Sequence, residues 1–383
     1  MRAFFAGVRR PVNLCVDIQS AVVQRAGVGR YTKCLVEAFG QLTEPGDQLR
    51  LFFFDFKRQG PPFPVSGATF KRLTWCPGRL VQRAWKTAHF PPFDWLAGAA
   101  DVFLFPNFVV PPLVKGKAVV TIHDASFLNL PETTERKNLN YLKAQMPYTV
   151  KRADLILTVS QASADDICAH LDVAPEKVRA VHLGLTENMR RPEPDTIARM
   201  RKQYDLERPY LLFVGTLEPR KNIPFLIEVF EQLTAFDGDL VIAGMKGWSY
   251  EPILARMQQS PQRERIRYLE YVDEQWLPAL YAGADCFLFP SLYEGFGFPP
   301  LEAMKCGTPV VASCGGSLPE VLGAAADLIP EFDSEAWVTA TTRLLTDQKH
   351  REQYQTAGLR HAATFSWAET ARKTWTLIQQ VGA

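Results

Sequence analysis

A chain of 383 residues is longer than one typical core and fits two domains of ordinary size. Its 47% hydrophobic and 22% charged residues exclude a disordered or fibrous chain, and its seven scattered cysteines, with no Cys-x-x-Cys pair, exclude a zinc ribbon or disulfide framework and point to a reducing compartment. The net charge of +2 is unevenly spread: residues 1–188 carry 23 Lys and Arg against 16 Asp and Glu, residues 189–383 carry 20 against 25, so the first half expects an anionic partner, though not a nucleic acid.

The opening residues, 1–17, lack an uninterrupted apolar core of signal-peptide length. No stretch approaches the ~20 apolar residues that span a bilayer. The expected location is therefore cytoplasmic, with any membrane contact peripheral and at the inner face. Val12 to Ile18 reads as a short strand containing Asp17. The following loop places Gly27 and Gly29 just before an amphipathic helix. Such glycines let helix N-terminal amides approach a phosphate, or simply form a turn. The loop is not Gly-x-Gly-x-x-Gly, because Thr32 stands where the third glycine would fall.

Leu49 to Phe56 and Ala68 to Trp75 read as the next strands. Between Arg79 and Trp95, the spacing of Arg79, Arg83 and Lys86 puts all three on one helical face, away from Leu80 and Trp85. A membrane-surface element has this character; the plainer reading is a helix with a solvated basic face and a core-packed Trp. Val102 to Phe105 and Ala118 to Ile122 are strands, the second ending in His123-Asp124. A histidine there either caps the sheet or exchanges hydrogen bonds with a ligand hydroxyl. Asp124 either orients His123 or caps the next segment. Ala153 to Ser160 is a strand whose Ser160 can cap a helix over 161–171, and Val178 to Gly184 closes the half. The charged, proline-rich run 190–194 is the expected linker.

The alternation then repeats. Tyr210 to Val214 is a strand, and Asn222 and Pro224 open the helix after its loop. Arg220 and Lys221 thus stand beside a helix N-terminus, a combination suited to a diphosphate. Asp237-Gly238-Asp239 reads as turn chemistry before the strand Leu240 to Ala243, and no metal or cofactor is expected. Arg267 to Val272 is another strand. Cys286 to Phe289 leads into a loop holding Glu294, and the Pro299-Pro300 pair opens a helix with Glu302 in its first turn. Gly307 ends that helix, and Pro309 to Ala312 is a strand. Two carboxylates therefore fall at the carboxyl edge of a parallel sheet, where open α/β folds bind ligands. A final helix over 366–380 carries Trp367 and Trp375.

Glu294, seven residues, then Glu302, with Gly295-Phe296-Gly297 between and Gly307-Thr308-Pro309-Val310-Val311 after, resembles the signature of family 4 retaining glycosyltransferases. The resemblance implies the GT-B architecture, an α/β fold of two Rossmann-like domains facing across a cleft. It implies an acceptor domain over 1–189, a nucleotide-sugar domain over 190–365, and a helix over 366–383 crossing back to the first. By the same resemblance Glu302 grips the donor ribose, and Glu294 with the amides of Gly295, Phe296, Gly297 and Phe298 holds the donor sugar. Gly27 and Gly29 close over the diphosphate, which Arg220 and Lys221 clamp; Thr216 stands where some members carry a further arginine. Tyr271-Val272 occupies the place of the base, and His123 contacts the transferred sugar. His123, Glu294, Arg220 and Lys221 are the expected catalytic set, with the leaving diphosphate itself taking the acceptor proton.

The Gly-Thr-x-x-x-Arg-Lys-Asn run from Gly215 looks most like mannosyltransferases of bacterial polysaccharide assembly. That implies GDP-mannose as donor, with UDP-glucose next, and a glycan or lipid-linked acceptor. A GT-B sugar-nucleotide epimerase would share the shape but lacks this set of Glu-x7-Glu, Arg-Lys and His-Asp. A periplasmic-type binding protein would need a signal peptide.

Overall fold

A computed structural model describes residues 11–24 and 27–382. The signal-peptide reading rests mostly on residues 1–10, outside that range, as are Arg25 and Ala26 of the glycine stretch. Seven parallel strands form the first sheet: β1 (Asn13–Asp17), β2 (Gln48–Phe54), β3 (Ala68–Leu73), β4 (Val102–Phe105), β5 (Lys117–Thr121), β6 (Leu155–Thr158) and β7 (Val178–Ala180), in the order β3-β2-β1-β4-β5-β6-β7. Six more form the second: β8 (Tyr210–Val214), β9 (Asp239–Ala243), β10 (Ile266–Leu269), β11 (Cys286–Phe289), β12 (Val310–Ser313) and β13 (Asp327–Ile329), in the order β10-β9-β8-β11-β12-β13.

The central strands are unbroken apolar runs because helices cover both faces of a parallel sheet. Val102–Phe105, Cys286–Phe289 and Val310–Ser313 are buried at every position. The edge strands β3, β7, β10 and β13 are not, and the half-buried Asp327–Ile329 matches no strand expected from the sequence.

Each sheet reverses its strand order once. The first does so between β1 and β4, the second between β8 and β11. At such a switch point the loops leaving the carboxyl ends diverge to opposite faces and open a crevice. Cys286 pairs with Leu211 and Phe287 with Leu212, so the loops after β8 and β11 leave the same edge side by side. That register brings Arg220 and Lys221 to Glu294.

The last helix, Trp367–Gly382, returns to the first sheet and packs on the helix Val28–Leu42, where Trp375 meets Phe39 edge-on at 5.2 Å. Thr370 also donates to the carbonyl of His182 at 2.8 Å.

Several local expectations change, and the strands expected over 49–56, 68–75 and 178–184 end at Phe54, Leu73 and Ala180. Glu302 is the fifth residue of the helix Phe298–Lys305, in its second turn, because the helix starts at Phe298, ahead of the Pro299-Pro300 pair. Asn222 precedes the helix Ile223–Gln232 in a left-handed conformation (φ 52°) and makes no side-chain cap. The strand expected over 267–272 ends at Leu269, leaving Tyr271 and Val272 in the following loop.

Candidate active site

The loop after β11 is pinned on two sides. Leu292 donates its backbone N–H to the carbonyl of Arg220 at 2.8 Å, and Ser317 donates to the carbonyl of Glu294 at 2.9 Å. Glu294 is thereby held inside the protein, 7% exposed. Its Oε1 accepts from Lys221 Nζ and from Ser291 Oγ, each at 2.5 Å, and its Oε2 meets Arg220 Nη1 at 2.9 Å. Arg220 also donates to Glu218 at 2.7 Å and to the carbonyl of Tyr293 at 2.5 Å.

A buried charge requires such partners, since an unpaired one is strongly destabilising. Burial alone would raise the Glu294 carboxyl, but Arg220 and Lys221 outweigh it and hold the group down at about 2. Burial and the neighbouring Arg220 pull Lys221 below the usual ammonium range, against the pull of Glu294. Burial works against the Arg220 charge, yet Glu294 and Glu218 hold its guanidinium above the usual value. The cation pair expected from the sequence is therefore not bare. Two carboxylates answer two cations, so the cluster is neutral and an entering anion competes with Glu294.

Glu302 is 3% exposed and accepts from Arg30 Nη1 at 2.6 Å and from the Tyr281 hydroxyl at 2.9 Å. Burial and the adjacent carboxylate push the Tyr281 phenol well above its usual value, so it stays a donor. Arg30 belongs to the helix Val28–Leu42 of the first half, and its guanidinium lies 5.2 Å over the Phe298 ring.

His123 leaves the end of β5, where its Nε2 meets the carbonyl of Pro106 at 2.8 Å. A carbonyl only accepts, so Nε2 carries the proton and the neutral ring has Nδ1 as acceptor. Burial lowers the imidazole below its ordinary value, offset in part by that hydrogen bond and by Asp124. Asp124 itself accepts the N–H of Ser126 at 2.9 Å, so it caps the next segment. The two halves meet here: a Cβ on Gly295 would fall 2.7 Å from Asp124 Cβ and 3.0 Å from the His123 carbonyl oxygen. Only glycine permits that approach.

Further contacts join the halves. Tyr293 donates to Asp166 at 2.6 Å. Glu320 accepts the N–H groups of Gln161 and Ala162 at 2.8 and 2.9 Å and pairs with His182 Nε2 at 2.6 Å. A carboxylate of the second half thus caps the helix Gln161–Leu171 of the first, beside that helix's own Ser160 cap.

The structure brings His123, Arg220, Lys221, Glu294, Gly295 and Glu302 to the facing edges of the two sheets. Phe296 is buried behind them, and Gly297 (φ 98°) starts the helix that Phe298 opens. Gly27 caps the helix Val28–Leu42, whereas Gly29 lies inside its first turn; a Cβ there would fall 2.0 Å from the carbonyl oxygen of Gln24. Gly29 therefore serves close packing of its own loop. Thr216 is exposed, and Tyr271, 54% exposed, lies with half-buried Val272 outside the cluster. Arg30, Tyr281, Ser291 and Asp166 carried no sequence signal beyond the place of Arg30 after the glycines.

Asp237 and Asp239 both pair with Arg208. Among the described residues no three His, Cys, Asp or Glu are grouped to hold a metal, and no helix is long and apolar enough to cross a membrane. A cavity of about 310 Å³ lies at the amino ends of β8 and β11, lined by Leu233, Phe236, Asp285, Val338 and Arg351, away from the two glutamates.

Comparison with known proteins adds to this geometry. Residues 26–188 match the family described as Glycosyltransferase Family 4, and residues 196–361 match Glycosyl transferases group 1. An O-antigen chain mannosyltransferase B from Escherichia coli is 34% identical over 273 residues, 70% of this chain and 71% of that protein. Among solved structures, a sucrose-phosphate synthase from Thermosynechococcus elongatus superposes with a TM-score of 0.75 at 20% identity, covering 97% of this chain and 99% of that one. The HepE protein of Anabaena, solved with UDP-glucose, gives 0.71 at 18% identity, covering 96% and 100%.

Proposed function

The chain belongs to the family 4 and group 1 glycosyltransferases, of GT-B fold, and on that premise we propose that it moves mannose from GDP-mannose to a growing bacterial polysaccharide chain, with retention at the anomeric carbon. That it is a hexosyltransferase using a nucleotide-sugar donor and a glycan acceptor follows from the family; the mannosyl and GDP assignments are our reading. The observation that carries it is the Arg220–Glu294–Lys221 cluster at the second switch point, beside the buried Glu302 and opposite His123.

In this reading the donor diphosphate enters the cluster and takes over Arg220 and Lys221, which then stabilise the charge developing on the leaving group. Glu294, released from part of its pairing, turns to the sugar hydroxyls, and the amides of Gly295 to Phe298 line the same side. Glu302 receives the ribose hydroxyls. His123, neutral and with Nδ1 free to accept, orients a hydroxyl of the transferred sugar. A phosphate oxygen of the departing nucleotide takes the acceptor's proton on the face it leaves. In this reading no carboxylate acts as nucleophile, because Glu294 is engaged with the sugar hydroxyls once the diphosphate holds Arg220 and Lys221.

The acceptor end of the reading places the first half against an anionic surface or lipid diphosphate at the inner face of the membrane. Its support is the helix Gly78–Ala88, whose Arg79, Arg83 and Lys86 are exposed near Trp75, Leu80, Phe90 and Trp95, which are between 55% and 68% exposed. Incubation with GDP-mannose and with UDP-glucose, with and without a mannose-terminated acceptor, tests the whole reading through release of nucleoside diphosphate. Acceptor-dependent release from GDP-mannose with an α-linked product is expected. Release from UDP-glucose alone, or an inverted product, overturns it.

A further inference from the structure

Glu302 is reached from the opposite half of the molecule by a residue 272 positions away. Arg30 is held there by three partners. Its Nη1 donates to Glu302 Oε1 at 2.6 Å, its Nη2 donates to Thr186 Oγ1 at 3.3 Å, and its guanidinium lies 5.2 Å over Phe298, the first residue of the helix that carries Glu302. On the other side Tyr281 engages Oε2 at 2.9 Å. An ionised carboxylate offers about four acceptor sites, two on each oxygen. Arg30 and Tyr281 use one on each. The group is left fixed in rotation and with one open acceptor site on each oxygen, which suits two adjacent hydroxyls.

We propose that Arg30 is a positioning residue for donor recognition, holding the Glu302 carboxylate across the cleft in the orientation that receives the vicinal hydroxyls of the donor ribose. The inference rests on the reading of Glu302 as the ribose-binding carboxylate. It goes further in making that recognition a joint property of both halves. The second sheet supplies the acid, the first supplies the cation that orients it, and ribose binding is complete only while the halves are together. Arginine suits this place because its planar fork can donate to two partners while its face stacks on Phe298; lysine keeps the charge but loses both the fork and the stack.

The test reads preference for ribose rather than affinity alone. Calorimetric titration of wild type, Arg30→Met, Arg30→Lys and Glu302→Gln is run with GDP and with 2′,3′-dideoxy-GDP, and with the matching uridine pair. Wild type should prefer the ribonucleotide by roughly tenfold or more, the worth of a pair of hydrogen bonds to a charged group. That preference should collapse towards one in Glu302→Gln and in Arg30→Met, and fall part-way in Arg30→Lys. Dideoxynucleotide affinity should change little in any variant, which a merely structural role for Arg30 would not predict. A thermal melt checks folding, and Arg30→Lys carries the test if Arg30→Met does not fold. Collapse in Glu302→Gln with full preference kept by the Arg30 variants overturns the role of Arg30 and leaves the ribose reading standing. Full preference kept by Glu302→Gln overturns the ribose reading and this inference together.

Discussion

At the scale of single residues, two glutamates eight positions apart have opposite surroundings. Glu294 is met by two cations and Ser291, Glu302 by one arginine and a phenol. They should fail differently. Glu302→Gln should weaken donor and free nucleoside diphosphate alike, raising KM more than it lowers kcat. Glu294→Gln should leave nucleoside diphosphate affinity undiminished, because an anion then enters without displacing a carboxylate, while kcat falls by about 10²-fold. Equal kinetic losses in the two variants would end this division. Glu294→Gln should also lower stability at neutral pH by about 3 kcal/mol, since it leaves buried cations underpaired. A carboxyl held at about 2, against an ordinary 4.5, adds stability above the ordinary value and loses it as pH falls through the lowered one. The stability gap between wild type and Glu294→Gln should thus narrow from pH 4.5 towards pH 2. Urea melts across that range check it; a gap independent of pH would remove the ion-pair account. The Glu-x7-Glu spacing was legible in the chain, but the pairing of each acid was not.

Among the elements, the helix Gln161–Leu171 takes its cap from both halves. Ser160 satisfies the N–H of Ser163, while Glu320 satisfies those of Gln161 and Ala162. Burial would raise the Glu320 carboxyl, yet His182 and the two amides hold it below the usual range. Glu320→Ala should cost about 1–2 kcal/mol, as loss of a cap does, and should raise donor KM by loosening the contact between halves. A thermal melt paired with donor kinetics separates these effects, and an unchanged KM would confine Glu320 to stability. The helix Gly78–Ala88 resembles a solvated amphipathic helix in having Val81 buried and Arg79, Arg83 and Lys86 exposed. Lys86 also lies 4.0 Å over the Tyr141 ring. Each basic residue near an anionic surface is worth about 1 kcal/mol, and salt screens it. Reversing the three charges should abolish co-sedimentation with anionic vesicles at low salt. Sedimentation that survives the reversal rejects this helix as the contact.

For the whole molecule, the proposed reading has Arg220 and Lys221 meet the charge of the leaving group at the switch point of the second sheet, while Asp237 and Asp239 are committed to Arg208 at the amino end of β9. Turnover should therefore survive a chelator, and Asp239→Ala should change kcat less than twofold. Strict dependence on Mg²⁺ or Mn²⁺ would overturn the clamp. The path of the chain makes such a site a joint product. The last helix returns to pack on Val28–Leu42, so the two halves are tied by the terminal helix as well as by the linker.

The sequence by itself determined what depends on near neighbours. Apolar runs such as Cys286–Phe289 declared buried parallel strands because both faces must be covered. Ser160 declared a helix start, and the prolines after Gly297 another, because helix ends need those groups within a few residues. Edge strand Asp327–Ile329 stayed hidden because a short half-buried strand needs no apolar run. The tertiary structure alone decided the strand order, the contact of Gly295 with His123-Asp124, the answering of Lys221 by Glu294, and the reach of Arg30 to Glu302. The state of a charge is set by what lies within a few ångströms of it in space. For these groups the neighbours are 73 and 272 residues away along the chain.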